Sequence, residues 1–272
     1  MRFEDAAMRV RFGPDEIDQA AELLFSWLAE SQSGVAFTGA GISTESGIPD
    51  FRSPRGVWAK NDPVYFDDFM ASADSRYEYW RQKSEAHQDF ADASPNITHT
   101  TLADWERRGR LRGIITQNID GLHQDAASQN ILELHGTARE IACMDCDWQE
   151  PADKWVARFV ETDRVPDCPS CNGRLKHATV SFGQSLPTEV LRTASQWATE
   201  SDLFLTLGSS LVVEPAASLP RMARDRGAKL VILNRDPTPL DAIANLIVNA
   251  PLGELFSAMK SASEGDASQN PA

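Results

Sequence analysis

Four cysteines occur among the 272 residues, and their spacing is the first feature that could do chemistry. They form two Cys-x-x-Cys pairs, Cys143/Cys146 and Cys168/Cys171, separated by 21 residues. Each pair presents two thiolates to one ion, and four thiolates fill a tetrahedral Zn2+ shell. With no further ligand in the pattern, such a site would be closed and structural. Two disulfides or a redox pair are the alternatives, and both suit a cytoplasmic chain with paired knuckles less well. A second feature is Gly39-Ala40-Gly41, which follows the apolar run Val35-Ala36-Phe37. Bare backbone amides in such a turn can cradle a phosphate. Thr44 stands where a dinucleotide fingerprint has its third glycine, and no acidic residue ends a second strand to hold a ribose. Hydride-transfer chemistry is therefore a poor fit.

These residues need elements to position them. The spacing predicts a helix starting at Pro14, with Ile17, Ala20, Leu24, Trp27 and Leu28 on one face. Ser94-Pro95 reads as an N-cap followed by proline at the first helical position, and Gly109 closes that helix. The runs 114–116, 131–134, 203–207 and 230–233 read as buried strands, with helices near 187–200, 214–226 and 253–260 between or after them. Near-continuous apolar strands belong to a parallel sheet covered on both faces. The expected fold is α/β, a doubly wound Rossmann-like sheet with a smaller zinc-ribbon and helical domain formed by insertions. Residues 1–54, 94–137 and 179–260 would build the nucleotide-binding domain. Residues 55–93 would be a helical insertion or lid, 138–178 a zinc-binding module, and the polar 261–272 a disordered tail.

Charge narrows the partners. There are 26 Lys+Arg against 40 Asp+Glu, a net −14, which repels phosphate backbones and argues against nucleic-acid binding. No stretch approaches 18 apolar residues, so no membrane span is expected, and the charged start lacks an apolar signal core. A cytoplasmic location follows. The oligomeric state stays open, with a monomer as the simplest expectation.

The motifs then converge. Gly39 to Arg52 reads GAGISTESGIPDFR, followed by Thr116-Gln117-Asn118-Ile119-Asp120-Gly121-Leu122-His123 and Leu134-His135-Gly136. Phe182-Gly183, Gly208-Ser209-Ser210-Leu211 with Pro215-Ala216, and Ile232-Leu233-Asn234 come later, with both cysteine pairs between His135 and Phe182. In this order the set resembles the sirtuin family, from about Gly34 to about Leu255. The resemblance implies NAD as co-substrate, one structural zinc, and acylated lysines of proteins or peptides as substrate. Nicotinamide, 2′-O-acyl-ADP-ribose and free lysine would be the products. It implies His135 as general base and Asn118 as the group that positions a water or ribose. Gln117 would bond ribose hydroxyls and Asp120 would lie in the nicotinamide pocket, with Ile48, Asp50 and Phe51 lining it. Arg52 and the Gly39-Ala40-Gly41 backbone would support the pyrophosphate. Gly208, Ser209, Ser210 and Asn234 would meet the adenosine. Val180, Phe182 and Gly183 would pair with a substrate peptide as an added strand. An imidazole suits a base near neutral pH.

Several positions depart from the family pattern. Ala126-Ala127-Ser128 stands for the usual Ala-Gly-Ser, which is compatible only with ordinary backbone angles at Ala127. His177, Ser181 and Gln184 replace a proline, an aromatic and an acid on the substrate strand. The tyrosine–arginine pair of members that prefer dicarboxylic acyl groups has no match, since Tyr77 does not align, so acetyl or a longer neutral acyl group is expected. His99 and His123 read as structural residues, His87 and His177 as surface ones. Protein mono-ADP-ribosyl transfer, or non-catalytic sensing of NAD or acyl-lysine, are the competing functions.

Overall fold

The computed structural model describes residues 9–50 and 62–269, the last nine as backbone only. Seven parallel strands form the main sheet in the order β1-β10-β9-β8-β2-β3-β4. These are β1 (Val10–Phe12), β2 (Gly34–Thr38), β3 (Leu111–Thr116), β4 (Ile131–Glu133), β8 (Leu203–Leu207), β9 (Lys229–Leu233) and β10 (Leu246–Val248). β2 and β8 are buried along their whole length, as the unbroken apolar runs require. The three-residue strands β1, at the sheet edge, and β10, beside it, escape the sequence pattern because they are too short to show a period.

Helices cover both faces. α1 (Ile17–Glu30), α4 (Ile97–Arg107) and α9 (Leu252–Gln269) pack on one side, around Leu24, Leu102 and Phe256. α7 (Thr188–Glu200) and α8 (Ser218–Asp225) cover the other, around Ala194 and Leu219. α1 buries Ala20, Leu24, Trp27 and Leu28, the face read from its spacing. The α4 cap is Asn96, not Ser94: its Oδ1 accepts from the N–H groups of Thr98 at 2.9 Å and His99 at 3.4 Å. Pro95 thus lies before the cap, outside the helix. Gly109, at φ 71°, closes the end as expected. α9 runs on to Gln269, so 261–269 is helical where composition predicts disorder. Alanines and a glutamate continue the turn there, and the first proline is Pro271.

A second sheet, antiparallel, joins β6 (Gln149–Pro151), β5 (Gly136–Cys143) and β7 (Leu175–Thr179). It shares a core with α2 (Phe66–Ala71), α3 (Ala73–Asp92) and α6 (Asp153–Thr162), built on Phe69, Trp80, Ile141, Trp155 and Phe159. Two stretches far apart in sequence therefore pack together. His177, read as a surface residue, is 1% exposed on β7 between the rings of Tyr79 and Trp80. The pleat decides this: its neighbour Ile141 on β5 faces the same core.

The chain departs from expectation at Ala127, which follows α5 (Leu122–Asp125) with φ 68°. The left-handed conformation is kept although the glycine is gone, because the Ala127 N–H donates to Gln124 O and the Ser128 N–H to His123 O. An L-residue pays on the order of 1 kcal/mol for this angle. Ala127→Gly should raise stability by roughly 0.5–1 kcal/mol, read as a higher urea midpoint at unchanged slope. An unchanged or lower midpoint would show that the turn is not strained.

Candidate active site

The chain reverses its direction of winding between β2 and β8, whose carboxyl ends lie side by side. Crevices of this kind are where open α/β sheets bind ligands. Here two turns meet backbone to backbone. Gly39 N–H donates to Leu207 O at 3.0 Å and Gly41 N–H to Gly208 O at 2.8 Å. A Cβ on Gly39 or Gly41 would stand 2.8 or 2.7 Å from Gly208 O, and one on Gly208 only 2.5 Å from Ile42 N. No side chain fits, so the glycines are required by contact as well as by the φ of 59° at Gly208.

His135 sits at the turn from β4 into β5. Its Nδ1 lies 2.9 Å from Gln117 O, an acceptor, so Nδ1 carries the proton and Nε2 the lone pair. Val180 N–H donates to His135 O at 2.8 Å, and a Cβ on Gly136 would fall 2.0 Å from Ala178 O. The histidine is thereby pinned between the two sheets. Gln117 donates from Nε2 to Ser209 Oγ at 2.8 Å, joining the β3 loop to the β8 loop. Asn118 donates from Nδ2 to Ser43 Oγ at 3.1 Å, and Ser43 Oγ donates to Asp120 at 2.7 Å. Asn118 Oδ1 is buried with no protein partner among the described residues. A buried acceptor in that state suits a donor from a ligand.

One cavity of about 1410 Å³ gathers these groups. Gly39, Ala40, Gly41, Asp50, Gln117, Asn118 and His135 line it, with Val180, Phe182, Gly183, Gly208, Ser209, Ser210 and Asn234. Asp120 does not line it: it is 4% exposed and stands behind the wall, accepting from Ser43 Oγ and Leu122 N–H. Val180, Phe182 and Gly183 form a turn after β7, where Gln184 N–H donates to Ser181 O at 3.0 Å. Phe51 and Arg52 lie outside the described residues. Tyr77 faces elsewhere, its hydroxyl 2.6 Å from Asp163, whereas Tyr79 and Lys83 line the cavity. Sequence reasoning gave no role to Ser43, Tyr79 or Lys83. Ser43 lies inside a quoted motif, but a lysine on a charged helix reads as solvent-facing until the fold is known.

Deeper still lie two imidazoles. His99 is 0% and His123 1% exposed, with ring centroids 5.1 Å apart. His123 Nε2 meets Thr38 Oγ1 at 2.9 Å, Thr38 donates to Thr116 Oγ1, and Thr116 Oγ1 accepts from Asn118 N–H. The relay ends on the backbone of Asn118. Burial holds His123 down to about 3 and His99 to about 4, and keeps His177 well below its ordinary value. All three are neutral in the fold and bind protons on unfolding below pH 6.5. Stability present above that pH is lost as pH falls through it, by up to about 1.4 kcal/mol per pH unit for each histidine. Urea titrations between pH 6.5 and 5 should show uptake approaching three protons on unfolding. A pH-independent midpoint in that window would contradict it.

The four cysteine Sγ atoms lie within 4.8 Å of one another. Cys143–Cys171 is 3.6 Å, Cys146–Cys168 3.8 Å and Cys146–Cys171 3.4 Å. A tetrahedron of Zn–S bonds of about 2.3 Å has edges near 3.8 Å, so the cluster fits one zinc ion and none of the thiols is in a disulfide. Arg174 N–H donates to Asp145 at 2.8 Å and clamps one knuckle to the other. Purified protein should carry about one zinc per chain, measured by elemental mass spectrometry, and Cys146→Ser should lose it with a lower melting temperature. Full zinc retention in the variant would mean another ligand set.

The model of the Sir2 family matches residues 39–215. An NAD-dependent protein deacetylase of Rhodopseudomonas palustris is 47% identical over 241 residues, 88% of this chain and 95% of that protein. NAD-dependent protein deacetylase 1 of Bradyrhizobium diazoefficiens is 44% identical over 90% of this chain and 97% of its own. A solved complex of Sir2 with a p53 peptide and NAD+ superimposes with TM-score 0.81 at 38% identity, covering 90% of this chain and 98% of that one. A structure of Sir2Tm bound to a propionylated peptide gives 0.79 over the same shares. With the family model over more than half of the chain and relatives of this identity over most of it, the chain belongs to the Sir2, or sirtuin, family.

Proposed function

We propose that this protein removes acyl groups, acetyl and longer neutral ones, from protein lysines at the expense of NAD. The observation that carries this reading is His135, proton-bearing at Nδ1 through Gln117 O and facing the cavity beside Asn118 and the glycine turns. When bound, NAD supplies the glycosidic bond whose cleavage drives acyl transfer to ADP-ribose, with release of nicotinamide and free lysine. The protein's part is to orient and to take a proton. His135 Nε2 would accept the proton of a ribose hydroxyl, a contribution on the order of 10²–10⁴ in rate. Asn118 Oδ1 would accept a hydrogen bond from water or ribose, held by Ser43 and, through it, Asp120. Amides of the 39–41 and 208–210 turns would meet the phosphates and adenosine, with Asn234 at the far edge.

The turn Val180–Gly183 would receive the peptide backbone beside the aromatic pair Tyr65 and Phe182, whose ring centroids are 5.8 Å apart. Relatives named as protein deacetylases and solved complexes with p53 and propionylated peptides support a lysine-bearing peptide as partner. The net charge of −14 suits basic peptides and disfavours nucleic acid. Reduced zinc thiolates accord with a cytoplasmic location. No helix among the described residues is long and apolar enough to cross a membrane.

The test follows free nicotinamide and deacylated peptide together, with NAD and acetyl-, butyryl- and myristoyl-lysine peptides. Both products should form in equal amounts, and His135→Ala should lower turnover by about 10²–10⁴. Nicotinamide without deacylated peptide would replace the reading by ADP-ribosyl transfer or NAD hydrolysis. Absence of both would leave a sensor.

A further inference from the structure

The short helix α2 is held from outside at both ends. A helix of six residues, about 9 Å long, does not stand alone, and its terminal backbone groups need partners. At its start no side chain caps it. The Phe66 N–H donates instead to Phe182 O at 2.8 Å, in the turn on the cavity wall. The Tyr65 ring, one residue earlier, lies against the Phe182 ring. At the other end two guanidinium groups take the last carbonyls. Arg76 Nη1 donates to Phe69 O at 3.1 Å, and Arg174 Nη1 to Met70 O at 3.1 Å. Cations suit this end of a helix.

Arg76 comes from the neighbouring helix α3, whereas Arg174 comes from the cysteine module. It stands three residues after Cys171 and is bound to the other knuckle. Its backbone N–H and its Nε donate to Asp145 Oδ2 at 2.8 and 3.0 Å, and Nη2 pairs with Oδ1. Asp145 lies between Cys143 and Cys146, and its own N–H donates to Cys143 Sγ at 3.3 Å. Met144 N–H donates to Arg174 O at 2.9 Å, and a Cβ on Gly173 would stand 2.9 Å from Cys143 Sγ. The two-toothed grip on Asp145 fixes the plane of the guanidinium and leaves Nη1 for α2. One path of contacts therefore runs from the thiolate cluster through Asp145, Arg174, Met70 O and α2 to the Phe182 carbonyl. None of these bonds goes to the 39–41 or 208–210 turns.

We propose that Arg174 is a positioning residue for the acyl-lysine peptide: held by Asp145 in the cysteine module, it sets α2 and thereby the Phe182 turn. The inference rests on the deacylation reading, and it gives the cysteine module a share in peptide affinity separate from its share in stability. Arg174 touches neither peptide nor NAD and takes no part in bond making. Without its guanidinium, Met70 O keeps only the longer 3.4 Å bond from Arg76. The Phe182 turn then gains freedom that the peptide must remove on binding.

The test uses Arg174→Gln and Arg174→Lys in the full chain, with zinc content read by elemental mass spectrometry. Arg174→Gln should keep about one zinc per chain. It should raise KM for an acetyl-lysine peptide about fivefold and leave kcat and KM for NAD within about twofold. The Lys variant, whose ammonium serves Asp145 or Met70 O but not both, should fall between. Fluorescence anisotropy of the labelled peptide on His135→Ala protein, with and without Arg174→Gln, should weaken by a similar factor. Calorimetric affinity for ADP-ribose should stay unchanged. Amide hydrogen exchange should quicken in α2 and in the 180–184 turn, and stay as in the wild type at 39–41. Equal weakening of peptide and ADP-ribose, loss of zinc, or unchanged exchange in α2 would overturn the proposal. Absence of deacylation by the wild type would instead strike the deacylation reading, and the exchange and anisotropy results would still decide Arg174.

Discussion

The contact on which the site depends is the approach of two backbones at the carboxyl ends of β2 and β8. Gly41 N–H reaches Gly208 O at 2.8 Å, with no room for a Cβ on either side. That approach ties the loop after β2 to the loop after β8 at the place where the winding reverses. Cavity-lining groups are held from it in turn: Ser209 fixes Gln117, the Gln117 carbonyl fixes the His135 tautomer, and Ser43 fixes Asn118. A methyl group at any of the three glycines would separate the turns and loosen the whole chain of contacts.

Beneath the cavity the molecule keeps its imidazoles neutral and links threonine hydroxyls and backbone amides into chains of hydrogen bonds. Thr38, Thr116 and His123 form a buried relay to the Asn118 N–H, and Asn96 carries the same function on the other side. It caps α4 with its Oδ1 and, through Nδ2, holds Ile42 O at 2.7 Å and Ser46 Oγ at 3.0 Å. The glycine-rich loop is thus braced by a helix cap, and not by packing alone. Low dielectric strengthens each of these bonds and makes an unpaired group costly. Asn118 Oδ1 stands out for that reason: among the described residues it is a buried amide oxygen of a cavity-lining residue that no protein group satisfies.

The small domain solves a different problem. β5–β7 and three helices enclose a modest aromatic core, and a zinc-sized thiolate cluster closes the end that apolar residues do not fill. Its second task is to carry β7, whose continuation bonds His135 through the Val180 N–H and forms the Val180–Gly183 turn on the cavity wall. Domain and site are therefore coupled through one strand, and α3, on the opposite side of it, supplies the wall that holds Tyr79 and Lys83.

Local rules made much of this legible. Unbroken apolar runs announced β2, β3, β8 and β9, the cysteine spacing announced the metal cluster, and the order of short motifs announced the family and the residues around the cavity. Those features depend on residue type and near neighbours, which a linear sequence contains. What needed the tertiary structure were effects between distant segments. Asn96, not Ser94, caps α4 because only its side chain also reaches Ile42 and Ser46. His177 is buried because β5 and α3 close over it, and Asp120 stands behind the wall because Ser43 intervenes. Ala127 keeps a glycine's angle because the turn's hydrogen bonds outweigh its strain. Lys83 faces a cavity because α3 packs against a strand some hundred residues away. Periodicity tells which side of a helix is apolar; only long-range packing tells what lies opposite a charge.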